Sequence, residues 1–222
     1  MPNKEIIELA DRNYMKNYAQ FPIVIKSGKG MYVTDEDGKS YLDFVAGIAV
    51  NALGYGDDDE KKALLSVMAD GVFHTSNLYY NSHAVHAAAM LNELAGSDRV
   101  FFCNSGAEAN EAALKIARKY GSAKGRSTII SFEHSFHGRT YGAITVTGQE
   151  KYHKGFSPML PGVVYAQYND IDSVKALIDD HTAAIIAEPL QGEGGIIPAE
   201  KSFLEGLRKL CDENDMLLIF DE

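Results

Sequence analysis

The chain has 222 residues, 45% of them hydrophobic, with 21 Lys and Arg against 31 Asp and Glu and a net charge of −10. This composition is typical of a globular protein that is long enough to bury a core without disulfide staples. The acidic balance, with both signs scattered along the chain, argues against a nucleic-acid partner, which would require a basic surface. No apolar run approaches the ~18 residues that a membrane-spanning helix needs, so we expect no membrane partner.

The two cysteines, Cys103 and Cys211, lie far apart in the sequence and each is surrounded by apolar residues. This usage favours two reduced thiols over a disulfide or a metal site. The amino terminus, residues 1–12, is polar and of mixed charge, unlike a secretion signal. We therefore expect a cytoplasmic protein without a bound metal.

The first 98 residues predict a small α+β segment. Residues Asp37 and Gly38 separate two short apolar runs, a pattern that is typical of a β-hairpin. The flanking segments have apolar residues at helical spacing behind polar capping residues. The predicted elements are a helix over 4–18, strands over 31–34 and 41–44, a helix capped by Asp58 and Asp59, and a helix that begins at the cap Ser82 and includes Leu94.

From residue 99 onward, short apolar runs without alternation take turns with helical patterns. Strands that are buried on both faces have this pattern, and interleaved helices make the connections parallel crossovers. We predict an α/β fold, a mostly parallel sheet flanked by helices, with a domain boundary between residues 98 and 99. No helix follows the final run, so we expect the domain to be incomplete at its carboxyl end. The predicted strands are 100–103, 128–132, 163–166, 182–187 and 216–220.

The segment after the first of these runs has the pattern of a strand, a tight turn and a helix start. Free amides in the first helical turn, next to Gly106 and the hydroxyl of Ser105, make a good phosphate site. A capped crossover helix without a ligand explains the same pattern. Ser105 as a catalytic nucleophile is a third reading, but the flanking glycines of a nucleophile elbow are missing.

Three further groups follow later strands, where open α/β sheets bind ligands. Phe136 can cover a flat aromatic cofactor and Arg139 can pair with a substrate carboxylate, although a core ring and a surface ion pair are the alternative. Glu193, in a loop with three glycines, can contact a substrate amine or be an ordinary loop residue. Asp221 can face a protonated ring nitrogen and hold its proton.

Taken together, these segments resemble the class III aminotransferases, which depend on pyridoxal 5'-phosphate. The resemblance extends over essentially all of the chain and implies the fold type I of aminotransferases, with a small amino-terminal segment and a large cofactor-binding domain over 99–222. It is carried by DFVAGIAVNALG (43–54), FFCNSGAEANEAALK (101–115), FHGRT (136–140), EPLQGEGG (188–195) and LLIFDE (217–222).

The resemblance also implies a role for each matching residue. The cofactor phosphate would be bound by residues of the helix start, and the pyridine ring by an aromatic side chain and a carboxylate. The substrate would be bound by residues of three further segments. In sequence order the roles are Tyr18 near the substrate, Ser105, Gly106 and Ala107 on the phosphate, Phe136 stacked on the ring, Arg139 on the substrate α-carboxylate, Glu193 near the substrate, and Asp221 on the ring nitrogen.

The implied reaction moves the terminal amino group of N2-acetylornithine to 2-oxoglutarate, as in arginine biosynthesis. Ile48 lies where ornithine aminotransferases carry a tyrosine, which favours an acylated ornithine. Succinyldiaminopimelate, succinylornithine, ornithine and 4-aminobutyrate are alternative donors within the family. The resemblance further implies a homodimer with residues 77–81 near the subunit interface; a non-catalytic remnant that pairs with another subunit is a different reading.

One feature of the family has no counterpart among these 222 residues. Family members continue past the Asp-Glu pair to a lysine that holds the cofactor covalently and moves the substrate proton. None of the lysines here follows Asp221. We therefore expect the chain to be an amino-terminal portion that is inactive by itself and prone to associate through its uncovered last strand.

Overall fold

The computed structural model describes residues 1–222 and divides into two compact units, Met1–Ala89 and Met90–Glu222. The domain boundary at residues 98 and 99 stays a prediction. No helix combines the length and the apolar character needed to cross a bilayer. The elements up to the end of the first unit are α1 (Asn3–Asn13), β1 (Ile25–Lys29), β2 (Tyr32–Asp35), β3 (Ser40–Leu42), α2 (Asp58–Asp70) and α3 (Ser82–Ala95), within which the division falls.

The predicted hairpin is present as β2 and β3, which pair antiparallel with Val33 opposite Tyr41. The sequence did not predict β1, which pairs with the other edge of β2. Asp35, only 2% exposed, fixes the turn because its carboxylate accepts hydrogen bonds from the Lys39 amide at 2.8 Å and the Tyr41 hydroxyl at 2.9 Å. The same carboxylate accepts from the side chain of Asn3 at 2.9 Å, which ties the start of α1 to the hairpin.

The helix boundaries differ from the prediction. The first helix ends at Asn13 rather than at residue 18, because the Asn13 side chain donates to the Leu9 carbonyl and Tyr14 is extended. Helix α2 is capped by Asp57, whose carboxylate accepts from two first-turn amides, rather than by the two aspartates that follow it. At α3 the capping side chain is Asn81, which accepts from the Ala84 amide, and not Ser82.

The second unit contains a four-stranded sheet in the order β5-β4-β6-β9, and every pairing is parallel. The prediction of an α/β fold with a parallel sheet is therefore confirmed. Its elements are α4 (Gly106–Ser122), β4 (Thr128–Phe132), α5 (Tyr141–Val146), α6 (Glu150–His153), β5 (Val163–Ala166), α7 (Ile171–Lys175), β6 (Thr182–Ala187), β7 (Leu190–Gln191), β8 (Ile197–Pro198), α8 (Lys201–Asn214) and β9 (Leu217–Phe220).

Both faces of this sheet are covered by helices, which explains why its strands are continuous apolar runs. On one face, Phe203 and Leu207 of α8 pack with Ile130 and Phe132 of β4. On the other face, Leu114 of α4 belongs to a second buried cluster with strand residues of β4 and β6. The sheet thus presents the carboxyl ends of β4, β6 and β9 at one edge, where the next residues are Glu133, Glu188 and Asp221.

The predicted strand at 100–103 is wrong: these residues have no regular secondary structure and pair with no strand. A strand requires a hydrogen-bonded neighbour, and the four-stranded sheet ends with β5 on one side and β9 on the other. Phe101 is consequently 70% exposed. Both cysteines are free; Cys103 is exposed and Cys211 is buried.

Candidate active site

The amino terminus of α4 is open to an anion. Ser105 is the N-cap and its Oγ accepts from the Glu108 amide at 3.2 Å, which leaves its hydroxyl hydrogen for another partner. The amides of Gly106 and Ala107 have no carbonyl to bond within the helix. No atom lies within 4 Å of the position that a Cβ on Gly106 would occupy. These donors, together with the positive end of the helix dipole, suit a phosphate.

The loop that follows β4 packs directly on this helix start. A Cβ built on Gly138 would lie 2.8 Å from the Cβ of Ala107, and Gly138 has φ +120°. Only glycine satisfies both the backbone conformation and the space. The close approach therefore brings the segment with Phe136, His137 and Arg139 to the mouth of α4.

A buried triad joins α4, this loop and the end of β9. The Asn110 side-chain amide donates to Oδ2 of Asp221 at 2.8 Å and to the carbonyl of His137 at 2.7 Å. Nδ1 of His137 lies 2.8 Å from the same Asp221 oxygen. Asn110 is 5% exposed and the His137 side chain is fully buried. The Asp221 carboxylate is thus held through one oxygen from two sides.

This arrangement fixes the tautomer of His137. A carboxylate can only accept, so the proton of the neutral imidazole that matches Asp221 is on Nδ1. Nε2 of His137 is then left with a lone pair, and that atom is buried without a hydrogen-bond partner. Such an orphaned atom is costly, so the contact with Asp221 must outweigh its desolvation.

Phe136 and Arg139 are more exposed than His137, which lies between them in this loop. The Phe136 ring is half-buried and packs edge-on against Tyr152, with ring centroids 5.5 Å apart. The Arg139 guanidinium lies 5.9 Å from the centroid of Phe136 and 5.6 Å from that of Tyr152. The aromatic pair thereby restricts where this exposed cation can go, as a carboxylate-binding arginine requires.

The loop after β6 carries a buried carboxylate, Glu188, which is 8% exposed. It accepts from the Phe136 amide at 3.1 Å, so it belongs to the same cluster as the aromatic loop. Burial raises the pKa of Glu188, against the opposing effect of the amides and of the nearby His137. The Asp221 amide, in turn, donates to the carbonyl of Ala187 at 3.0 Å and continues the edge of the sheet.

The remaining expected substrate residues are exposed. Glu193 lies in the glycine loop of the second unit, and Tyr18, which is 66% exposed, lies in the first unit. Their proposed contacts with substrate stay predictions. The sequence singled out neither Asn110 nor Glu188. A signal was present for both: Asn110 lies one turn inside the predicted phosphate-binding helix, and Glu188 comes directly after a buried strand.

The residues present fit pyridoxal 5'-phosphate. Its phosphate requires unpaired donors, which the open mouth of α4 provides at Gly106 and Ala107. Its ring nitrogen requires a fixed carboxylate. Both donors to Asp221 use Oδ2 and the side chain is still 21% exposed, so Oδ1 can face a ligand. Phe136, beside His137 in the same loop, adds an aromatic surface.

Comparison with known proteins agrees with this geometry. The profile of the family "Aminotransferase class-III" matches residues 13–222. The chain belongs to the class III aminotransferases, and its solved relatives have the fold type I of that group.

Within this family, the chain is similar to several individual aminotransferases. The chain is 49% identical over 211 residues to an acetylornithine aminotransferase of Caldanaerobacter subterraneus subsp. tengcongensis, covering 94% of this chain and 53% of that protein. It is 50% identical over 211 residues to the acetylornithine aminotransferase of Aquifex aeolicus, covering 94% of this chain and 56% of that protein. The ornithine aminotransferase of Toxoplasma gondii, whose active site holds PLP at partial occupancy, superposes with a TM-score of 0.90 at 32% identity, over 98% of this chain and 52% of that one. The chain thus spans about half the length of these relatives.

Proposed function

We propose that this chain provides the cofactor-binding part of a pyridoxal-phosphate-dependent aminotransferase that moves the terminal amino group of N2-acetylornithine to 2-oxoglutarate. The observation that carries the proposal is the link from Asn110 in the open-ended helix α4 to Asp221 at the end of β9. This link supports the proposal because it joins the helix with the open amino terminus to a fixed carboxylate. The identity of about half of all residues to two acetylornithine aminotransferases supports the substrate.

Each residue then has a defined task. The amides of Gly106 and Ala107 and the hydroxyl of Ser105 bind the phosphate. Phe136 covers the ring, and Oδ1 of Asp221 holds a proton on the pyridine nitrogen. Pyridoxal phosphate, when bound, supplies an electron-withdrawing ring that makes loss of a proton from the substrate carbon easier.

Three residues outside this cluster bind the substrate in the same proposal. Arg139 binds the α-carboxylate by a bidentate pair, and its contact with two aromatic rings preorganises it for that task. Roles for Glu193 and Tyr18 near the remainder of the substrate are those that the family resemblance implies. In this proposal Arg139 recognises the charge of the substrate α-carboxylate, and other residues recognise the acyl group.

Cofactor binding is the first test. Titration of the purified chain with pyridoxal 5'-phosphate, followed by phosphorus NMR and calorimetry, should show binding to one site per chain. Substitution D221A should weaken that binding, and the exposed-site control K119A should leave it unchanged. Equal binding by the unaltered chain and by D221A would contradict the assigned site.

Turnover is the second test. The chain is mixed with cofactor, 2-oxoglutarate and one donor at a time: N2-acetylornithine, succinylornithine, succinyldiaminopimelate, ornithine or 4-aminobutyrate. We expect no glutamate, because the family lysine that holds the cofactor and transfers the proton is not among these residues. Turnover would refute the expected inactivity, and the preferred donor would then identify the substrate.

A homodimer is part of the proposal. Residues 77–81 include Leu78, Tyr79 and Tyr80, which are 80%, 74% and 99% exposed. Three large apolar side chains in a row are costly in water and are typical of an interface. Analytical ultracentrifugation should show a dimer that L78D dissociates; a compact monomer at micromolar concentration would contradict it.

A further inference from the structure

Glu188 is a buried carboxylate to which the proposed mechanism gives no task. It follows β6 directly and is 8% exposed. Its Oε2 accepts from the Phe136 amide at 3.1 Å and its Oε1 from the Gly192 amide at 3.4 Å. The two donors belong to different loops, so one side chain spans the aromatic loop (133–139) and the glycine loop (188–195).

A second buried side chain fastens the same two loops. The Gln191 amide, 1% exposed, donates to the carbonyl of Glu133 at 3.0 Å. A Cβ on Gly194 would lie 2.7 Å from the carbonyl oxygen of His134, so only glycine allows the loops to approach this closely. The glycine loop therefore lies against the aromatic loop over several residues.

A third contact holds the main chain of Glu188 itself. The hydroxyl of Tyr168 donates to the Glu188 carbonyl at 2.7 Å, and the Tyr168 ring packs against Phe132 and Phe203 of the core. The base of the glycine loop is thus anchored in the hydrophobic core. Glu193 lies further along the same loop.

The chemistry of this position requires a carboxylate. Burying a carboxylate costs desolvation free energy, and a neutral side chain would cost less if this position only had to fill space. The two N–H groups bond to different oxygens, and only a carboxylate accepts at both positions; a glutamine in the same place would face one of them with its own N–H groups. The titratable neighbours that face Glu188 are His137, Asp221 and Tyr168.

We propose that Glu188 is a positioning residue that clamps the aromatic loop to the glycine loop, so that Phe136 and Glu193 are held at a fixed separation. The inference rests on the proposed function, because it concerns the residues that would face cofactor and substrate. Glu188 thereby sets the distance between Phe136, which covers the cofactor ring in the proposed function, and the Glu193 carboxylate, which faces the substrate. Without this clamp, the bond from Gln191 to the Glu133 carbonyl and the close approach at Gly194 would still join the two loops, but neither holds the amides of Phe136 and Gly192.

The clamp is tested first without any ligand. In NMR spectra of the labelled chain, the amide protons of Phe136 and Gly192 should shift together with pH, through one shared midpoint. That midpoint should lie above the ordinary pKa of 4.5, because burial raises the pKa of Glu188. The shared transition should disappear in E188Q and persist in E205Q, a control at an exposed position on α8.

The second measurement is the affinity for pyridoxal 5'-phosphate. Losing one charge-assisted hydrogen bond of this kind should raise the dissociation constant of E188Q about tenfold, with faster hydrogen exchange at Gly192. E188D provides a second variant because it keeps the charge but is one methylene shorter. It should keep the pH transition at only one of the two amides.

The outcomes separate the clamp from the function. Independent titration of the two amides, or unchanged Gly192 exchange and cofactor affinity in E188Q, would overturn the clamp. If the unaltered chain binds no cofactor but both amides titrate together and lose this in E188Q, the clamp stands and the proposed function fails.

Discussion

The side-chain amide of Asn110 and the carboxylate of Asp221 are 2.8 Å apart, although 111 residues separate them in the chain. Asn110 lies on the second turn of α4, and Asp221 follows the edge strand β9. Since the same amide also bonds the His137 carbonyl, it joins α4, the loop after β4 and the end of β9. The site therefore depends on tertiary folding of the whole second unit.

Replacing Asn110 should damage both stability and ligand binding. N110A removes two buried hydrogen bonds and leaves the His137 carbonyl unpaired, which should lower the free energy of unfolding by about 2 kcal/mol. Cofactor affinity should fall about tenfold because one support of Asp221 is lost. Urea unfolding and calorimetry measure the two effects, with K119A on the same helix as control. A stability change without any change in affinity would mean that Asn110 is purely structural.

The contact of His137 with Asp221 predicts unequal effects of two substitutions. The side-chain nitrogen of Asn can take the place of Nδ1, so H137N should keep the bond to Asp221 and remove the orphaned Nε2. H137L removes the donor altogether. We therefore expect H137N to bind pyridoxal phosphate more tightly than H137L, in titrations of both folded variants. Equal losses in the two would show that the Nδ1 contact contributes nothing to the site.

Gly138 should tolerate no side chain. G138A combines a positive φ with a contact at 2.8 Å to Ala107, and should lower the free energy of unfolding by about 3 kcal/mol. Gly195 has φ +123° and no atom nearer than 3.9 Å, so G195A measures the backbone strain alone, about 1 kcal/mol. Thermal and urea unfolding measure the difference in the free energy of unfolding between the two variants. If the two variants lose equal stability, the packing of the loop on α4 is not tight.

The two thiols should react at very different rates. Burial raises the pKa of Cys211 to about 11, so at pH 8 only about one such thiol in a thousand is ionised. Cys103 is exposed and accessible to reagent. Mass spectrometry after brief treatment with iodoacetamide at pH 8 should find one label, on Cys103. The second should appear as the pH rises toward 11 or on unfolding; simultaneous labelling at pH 8 would contradict the burial of Cys211.

The strands of the sheet were predictable from the sequence because their environment is uniform. Residues 128–132 and 182–187 are almost entirely buried and the edge strand 163–166 is mostly half-buried, and this burial leaves unbroken apolar runs. The run at 100–103 has the same composition but no neighbour to pair with. An apolar composition indicates that a segment tends to be buried, but the segment forms a strand only if a neighbouring strand pairs with it. The helix caps were displaced by one residue because adjacent polar side chains compete for the same amides.

The candidate site was only partly predictable for a related reason. The helix start at Ser105 and the carboxylate at Asp221 are local features, which follow a strand or open a helix. The bonds of Asn110, His137 and Glu188 join residues that are 27 to 111 positions apart, and nothing in their immediate sequence indicates the partner. To predict these contacts, one would need to know the order and the register of the strands in the sheet.

The tie between Asn3 and Asp35 has a practical meaning for handling the protein. An amino-terminal extension or a trimmed terminus would act next to the residue that links α1 to the hairpin turn, and removal of Asn3 would strip one donor from an almost inaccessible aspartate. A purification tag is therefore better placed with a spacer, or cleaved upstream of Met1, than fused directly or cut back past the second residue.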